Sequence, residues 1–538
     1  MKRVGILFLV LVALVAMTTA DAVAQPKVTI TGLVDNVSSW TNNMSVVDIN
    51  PARTGDREWY ARTRVRPDIT AAVGTTKFVL GLEIDSTWGQ TGATDTTAPN
   101  RSGTSSSWDI NTDTLGVIEI KWAYTEFAMP IIPVPTVFRL GAQPWQAQYK
   151  LAALATGDFA GVHMTNQWAP MFKSNLTYAF IEESSTGPRD AFIRGEDFAL
   201  VASVEITPFK GLDIRPIYSY ANIIGVTGQP RLARGGLGTG AGVYQTCPGT
   251  AGPGTGACGV GSKSSVEDRH TIGVDARWRF GAFSLDPTFF FQFGSRDQIA
   301  PTVSATSGPS VHSTLSREAY FFDIRGGWQA GPLLVEGAFI YTSGNEADER
   351  IDLNRDKIRY YEAISTDTSY YATWAEIWAL GIDYFNIIRS GSPGMNPGVA
   401  IGYDKYGLMR IGARASYALT PAFTVRTGAT ANWTAEDVDT RGTHAAATGI
   451  TPRCTAAQLD AAVPTCVDSG TASYLGTELN LGFQWRFVPN VALDVVGSYM
   501  FAGNALATHV TTSNTGAVRN GRNPQDIQAI TARVRYTW

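Results

Sequence analysis

Long apolar runs are missing from this 538-residue chain beyond its first two dozen residues. A helix that crosses a bilayer needs about 20 consecutive apolar residues, and no later segment approaches that length. Whatever this protein does, it does not span a membrane with helices. Charge is scarce as well. Asp, Glu, Lys and Arg make up 17% of the chain, below the roughly 25% usual for soluble globular proteins. A net charge of −4 is too small to imply a nucleic-acid partner. The five histidines, His163, His270, His312, His444 and His509, are scattered, with no close pair at ligand spacing and no setting for a nucleophile. No glycine-rich phosphate loop follows a strand and opens a helix. Asp352-Leu353-Asn354-Arg355-Asp356 begins like a calcium loop, yet Lys357 stands where Gly is needed and Ala363 where Glu is needed. That segment reads as a polar loop, with Glu346, Asp348 and Glu349 leaving room for a loose surface cation site. Neither a cofactor nor a metal centre is expected.

What the sequence does contain begins with an address. Lys2 and Arg3 precede an apolar run over residues 5–17, and Ala22-Val23-Ala24 supplies small residues at the positions a signal peptidase reads. Cleavage is expected after Ala24, since the run is too short for a retained anchor. Export would place the four cysteines in an oxidising compartment. They form two close pairs, Cys247 with Cys258 and Cys454 with Cys466, each inside a Gly/Pro/Thr/Ala-rich stretch. Four cysteines allow three connectivities, and local pairing is the easy closure. A zinc site competes, but 10 and 11 intervening residues fit no usual ligand spacing. Two loop-stapling disulfides are expected.

From Val28 to Trp538 one texture prevails: short alternating segments separated by polar Gly/Ser/Thr/Asn stretches. It suggests a single large β domain over residues 25–538. Between Phe78 and Trp88, one face carries Phe78, Leu80, Leu82, Ile84 and Trp88, the other Gly81, Glu83, Asp85 and Thr87. Ile272, Val274, Ala276, Trp278 and Phe280 likewise oppose Gly273, Asp275, Arg277 and Arg279. A soluble sandwich also alternates, so one strand decides nothing. The discriminating detail is that the apolar faces begin or end in Trp, Tyr or Phe, as an interfacial girdle requires. Connections alternate too. Tight ones fall at 74–75, 208–211, 281–282, 331–332, 420–422 and 489–490, with long polar ones between them, among them 39–57, 89–111, 225–266, 295–315, 436–471 and 503–524. Short turns on one side and long loops on the other mark a membrane barrel.

Strands are accordingly expected over 28–38, 58–72, 76–88, 113–128, 136–143, 158–167, 172–184, 196–207, 212–224, 267–280, 283–294, 317–329, 332–343, 404–419, 422–435, 472–488, 491–502 and 526–538. That is an all-β, antiparallel, up-and-down transmembrane barrel of about 18 strands, within a range of 16–20. Residues 344–403 read as a long extracellular or in-folded loop; a strand over 374–385 would need one more partner. By parity the lumen receives Arg62, Arg64, Arg66, Glu83, Asp85, Glu119, Arg139, Arg410, Arg414, Arg426, Arg533 and Arg535. Pairing of the last strand with the first gathers basic charge on one wall. Arg outnumbers Lys by 33 to ten, a bias suited both to a charged pore lining and to mutually neutralising struts; both readings stay open.

The last strand is the most distinctive. Ile530, Ala532, Val534, Tyr536 and Trp538 alternate with Thr531, Arg533, Arg535 and Thr537, and the mature chain opens on Gly32-Leu33-Val34-Asp35. This resembles the large general or substrate-preferring porins of Gram-negative outer membranes, although their terminal residue is usually Phe. The resemblance covers essentially the whole mature chain and implies a water-filled channel for small hydrophilic solutes or ions, seated in outer-membrane lipid. It further implies recognition of the C-terminal strand by the barrel-assembly machinery, an arginine ladder facing acids, and a third loop folded into the lumen; it allows a homotrimer. Residues 145–157 fit that loop in place and composition, and 149–155 is helix-tolerant. Two other uses are set against the channel: an adhesin or receptor acting through its stapled loops and, further off, a barrel-borne hydrolase. No plug domain precedes the first strand, which speaks against an energised transporter.

Overall fold

The structure, a computed structural model, describes residues 25–43, 57–88, 107–108, 117–150, 153–181, 198–224, 265–300, 311–346, 357–366, 374–377, 406–438, 472–506, 508–511, 518–522 and 525–538. The four cysteines and the N-terminal 24 residues lie outside them, as does 378–385 of the alternative strand.

Eighteen strands form one antiparallel circuit. In chain order they are β1 Lys27–Asn42, β2 Arg57–Val73, β3 Thr76–Trp88, β4 Val117–Ala128, β5 Thr136–Gln146, β6 Ala155–Ala169, β7 Phe172–Phe180, β8 Phe198–Phe209, β9 Leu212–Ile224, β10 Ser265–Phe280, β11 Phe283–Ala300, β12 Val311–Ala330, β13 Leu333–Thr342, β14 Leu408–Thr420, β15 Phe423–Val438, β16 Ala472–Val488, β17 Val491–Ala502 and β18 Ile527–Thr537. Each pairs with its sequence neighbours, and β18 pairs with β1, so no edge is left unpaired. The count matches the alternation in the sequence. On the long-loop side β11 and β12 run further than expected, to Ala300 and from Val311, because ladder pairing continues past the point where the apolar face ends, whereas β7 stops at Phe180 and β14 starts at Leu408, short of the expected bounds. Among the described residues, no helix is long and apolar enough to cross a membrane.

One rim carries the tight turns. Gly74, Gly281 and Gly331 adopt φ of 58°, 62° and 56° there, and Asn490 takes 64°, the left-handed values that two-residue hairpins demand and that Gly and Asn supply at least cost. The other rim carries every long connection. This segregation is what an up-and-down barrel shows when its first strand starts, and its last strand ends, at one rim.

The seam is closed by a glycine and a terminal tryptophan. Backbone N–H and C=O of Gly32 and Trp538 bond reciprocally at 3.1 Å. A Cβ on Gly32 would stand 2.5 Å from the Trp538 indole, so the ring occupies the space that glycine leaves. A bicyclic aromatic in place of the commoner Phe has its berth in residue 32.

Outward faces are apolar around the circuit: Leu200, Ile272, Val274, Ile411, Leu479, Leu481 and Ile530 are all exposed, Leu481 by 63%. Aromatic side chains bound this belt. On β15, Phe423 and Trp433 both point outward, ten residues apart, which is about 33 Å along a strand. Tilted by about 45°, that becomes roughly 23 Å of height, close to the apolar band of membrane barrels. A belt of this extent facing water would be unstable; a bilayer core is the solvent it fits.

Candidate functional site

Register decides what lies beside each inward arginine. Across β18, β1, β2 and β3 one row reads Arg535, Asp35, Arg64, Asp85; the next reads Arg533, Val37, Arg62. Arg535 Nε donates to Asp35 at 2.6 Å, and Arg64 Nε donates to Asp85 at 2.6 Å. Arg64 Nη2 also reaches Glu83 at 2.7 Å, and Arg66 reaches Glu83 at 2.5 Å. Arg533 Nη2 donates to Asp494 at 2.9 Å. Five arginines on this wall therefore stand among four carboxylates, Asp35, Glu83, Asp85 and Asp494. The structure shows a lattice of alternating charge where adjacency of the terminal strands alone suggested a basic wall. Glu119 faces Glu83 in register and is exposed. Lys121, at a bulge beside it, bridges Asp158 at 2.6 Å and Glu83 at 3.5 Å.

The remaining predicted residues lie on flanking strands. Arg139 binds Glu126 at 2.5 Å, which also takes Lys77 at 2.8 Å. On β14 and β15, Arg410 is buried with its Nε on Asn432 at 2.5 Å, Arg414 binds Glu336 at 2.5 Å, and Arg426 comes within 3.9 Å of Glu376.

Two connections fold inward. The first joins β5 to β6, and its described residues, 147–150 and 153–154, reach the far wall. Asp275 accepts the N–H groups of Tyr149 and Lys150 (3.3 Å for the latter), and Thr288 donates to the same carboxylate at 2.6 Å. Lys150 Nζ donates to Thr288 Oγ1 at 2.5 Å and to the Asp323 carbonyl at 2.9 Å. Burial pushes the Lys150 ammonium's pKa down, with Asp323 and Asp275 pulling the other way. The Tyr149 ring is stacked between Arg215 and Arg277, at 4.0 and 4.4 Å. The described part of this loop is not helical, contrary to the helix tolerance of 149–155. Its N–H groups at 149 and 150 are taken by Asp275, an alternative partner that suits an extended crossing.

The second connection lies between β13 and β14, where an in-folded loop was one of the expectations. Residues 357–366 run from β12, where Ile358 bridges Arg317, to β6, where Ser365–Thr366 pair in parallel with Ala155 and Thr156. The loops also hold each other: Ile364 N–H donates to Leu154 C=O at 2.8 Å, and Tyr361 Oη to Ala153 C=O at 2.9 Å. Tyr361 and Leu154 are fully buried in one cluster with inward-facing Ile217, Phe290, Phe321 and Ile340, and Tyr360 is buried in another with Leu315 and Ile358. The apolar core inside the barrel thus runs along β8 to β14 and continues on β16 to β18 through Leu475, Met500 and Ile527.

Above it sits a buried ionic cluster. Glu267 contacts Arg296 (Nε at 3.0 Å), Arg269 at 2.9 Å and Arg317 at 2.8 Å. Glu362 of the loop adds a second carboxylate, 2.7 Å from Arg269, and Arg317 donates to the Tyr360 carbonyl at 2.8 Å. The arginine–carboxylate lattice lies on β17, β18 and β1 to β3.

Solved structures similar to this chain are similar in fold only. OccK8 (OprE) of Pseudomonas aeruginosa is 11% identical, with 96% of this chain and 99% of that one covered and a TM-score of 0.45. OpdQ of the same organism is 10% identical, over 95% and 98%, with a TM-score of 0.42. OccAB4 of Acinetobacter baumannii is 9% identical, over 97% and 100%, with a TM-score of 0.43. No protein-family model matches the chain, and no curated protein matches its sequence.

Parity reasoning missed Glu267, Arg269, Arg296 and Arg317. Their strands continue the same alternation beyond the aromatic edge, so extending the parity of Asp275 back through Gly273 and Thr271 would have found Arg269 and Glu267. It also missed Asp35, whose apolar neighbours Val34 and Val37 break the pattern. Among the described residues no cluster of His, Cys, Asp or Glu could hold a metal ion.

Proposed function

We propose that this protein is a passive, water-filled channel of a Gram-negative outer membrane, taking small hydrophilic solutes or ions across lipid. A closed circuit of 18 strands with an apolar exterior and a charged wall inside carries this reading: barrels of 16–18 strands enclose an interior wide enough for water. The in-folded loops narrow that interior, and Arg66 and Arg535 keep the more accessible side chains of the charged wall. Residues 1–24 serve as the export signal in this reading, and β18 with Trp538 as the segment the assembly machinery takes up. Planar-bilayer recording of the purified, folded protein tests the proposal. Absence of channels would favour a receptor, an adhesin or a barrel-borne enzyme instead.

The passage should be ion-selective through its lattice of paired charge. Arg66 and Arg535 are the more accessible members, with partners Glu83 and Asp35. Replacing both by Gln removes two positive charges while Glu83 keeps Arg64 and Lys121, so the wall becomes more negative and the reversal potential in a salt gradient should move toward cations. The shift should fade as the Debye length falls from about 10 Å at 0.1 M to about 3 Å at 1 M salt. A reversal potential that ignores the double variant would leave a channel standing but remove this wall from its path.

We further infer that Cys247 pairs with Cys258 and Cys454 with Cys466, because each pair is close in sequence and exported. Non-reducing peptide mapping should recover two local cross-links. Bonds between the pairs, or four free thiols, would overturn the assignment.

A further inference from the structure

Trp374 lies inside the barrel with a backbone that bulky side chains avoid. Its φ is +62°, in the left-handed region where a large residue is strained. Contacts on two strands, β14 and β16, hold it there. Asn480 on β16 donates to the Trp374 carbonyl at 3.0 Å. Two residues on, the N–H groups of Glu376 and Ile377 donate to buried Glu478, also on β16, at 2.5 and 3.2 Å. The Arg414 guanidinium of β14 is 4.8 Å over the indole. Gly412 supplies the berth: a Cβ there would stand 3.3 Å from Trp374 Cε3 and 3.2 Å from Thr430 Cγ2 of β15. The barrel wall, rather than the loop's own preference, therefore sets where the ring stands, as strain that persists requires.

An indole carries no net charge. Half-buried against the inner wall, it acts on a passing molecule through shape and apolar contact, whereas the arginine–carboxylate lattice acts through charge. We propose that Trp374 is a specificity-determining residue of the passage, its pinned ring setting the largest cross-section of uncharged solute that crosses. The inference rests on the channel reading, and a separate outcome tests each.

The experiment measures swelling of liposomes containing the purified protein in a series of neutral sugars, from mono- to trisaccharide, beside reversal potentials in a salt gradient. Trp374→Ala should raise the trisaccharide rate relative to the monosaccharide rate several-fold and leave the reversal potential in place. Gly412→Val, which takes the berth, should push the ring into the lumen and lower the rates of the larger sugars. Heat-modifiable migration on gels reports folding of each variant. Should Gly412→Val fail to fold, Trp374→Phe carries the test, with a cutoff between those of Ala and the native Trp. An unchanged size ranking in Trp374→Ala, or both substitutions moving it the same way, overturns the assignment while the channel stands. A native protein that passes not even the monosaccharide overturns the channel reading and this inference with it.

Discussion

Glu267→Ala is expected to destabilise the folded barrel by about 3–5 kcal/mol, the cost of leaving buried charge without its partner. The native carboxylate is buried and touches three guanidiniums that are buried in turn, those of Arg269, Arg296 and Arg317. Glu362 reaches Arg269 at 2.7 Å and Arg317 at 3.4 Å but is less central to the cluster than Glu267. Repulsion among three desolvated cations is the physical source of the loss. Because Glu362 and the Tyr360 carbonyl are tied to the same arginines, the loop at 357–366 should loosen together with the wall. A lower temperature for the folded-to-unfolded gel shift, together with new protease sensitivity near 357–366, is the expected result. Migration at the native temperature would show that the cluster is dispensable.

The second large effect belongs to the outer face. Leu80 points outward between exposed Phe78 and half-buried Leu82 on β3, one residue from buried Val79. Leu80→Arg should cost roughly 2–4 kcal/mol if the position lies near the bilayer midplane, and the yield of folded protein in lipid vesicles should fall accordingly. Leu80→Ala keeps the face apolar and is the matched control. Equal folding of the Arg variant would mean that this face does not meet hydrocarbon.

Much of the barrel was legible because period-two alternation survives wherever one face meets an apolar solvent and the other does not. Phe78, Leu80, Leu82 and Ile84 against Glu83 and Asp85 announce a strand without help from any neighbour. The interior was harder to read for a physical reason. Inward residues were taken as polar, yet Phe290 faces inward while Phe289 and Phe291 face outward, and three consecutive phenylalanines conceal the switch. Ile217, Phe321 and Ile340 are inward for the same cause: the in-folded loops give them something dry to pack against, and that partner lies far away in sequence. The charged wall was half legible. Parity found Arg62, Arg64, Arg533 and Arg535, but which acid stands beside each depends on register across the seam, and that is a tertiary property. Asp35 beside Arg535 and Asp494 beside Arg533 appear only once the circuit is closed.

The pairing of β1 with β18 has a consequence for the time course of assembly. Asp35 and Arg535, bonded across that seam, are 500 positions apart. At a synthesis rate of 5–20 residues per second, the first strand exists for roughly 25–100 s before its final neighbour has even been made. Through that interval its backbone donors and acceptors form an open template for any passing strand, and so long a loop closure is intrinsically slow. The nascent molecule is therefore most vulnerable at its two ends. A chain shortened by its last dozen residues would keep seventeen strands yet expose both β1 and β17, turning a sealed cylinder into a sheet with two adhesive margins.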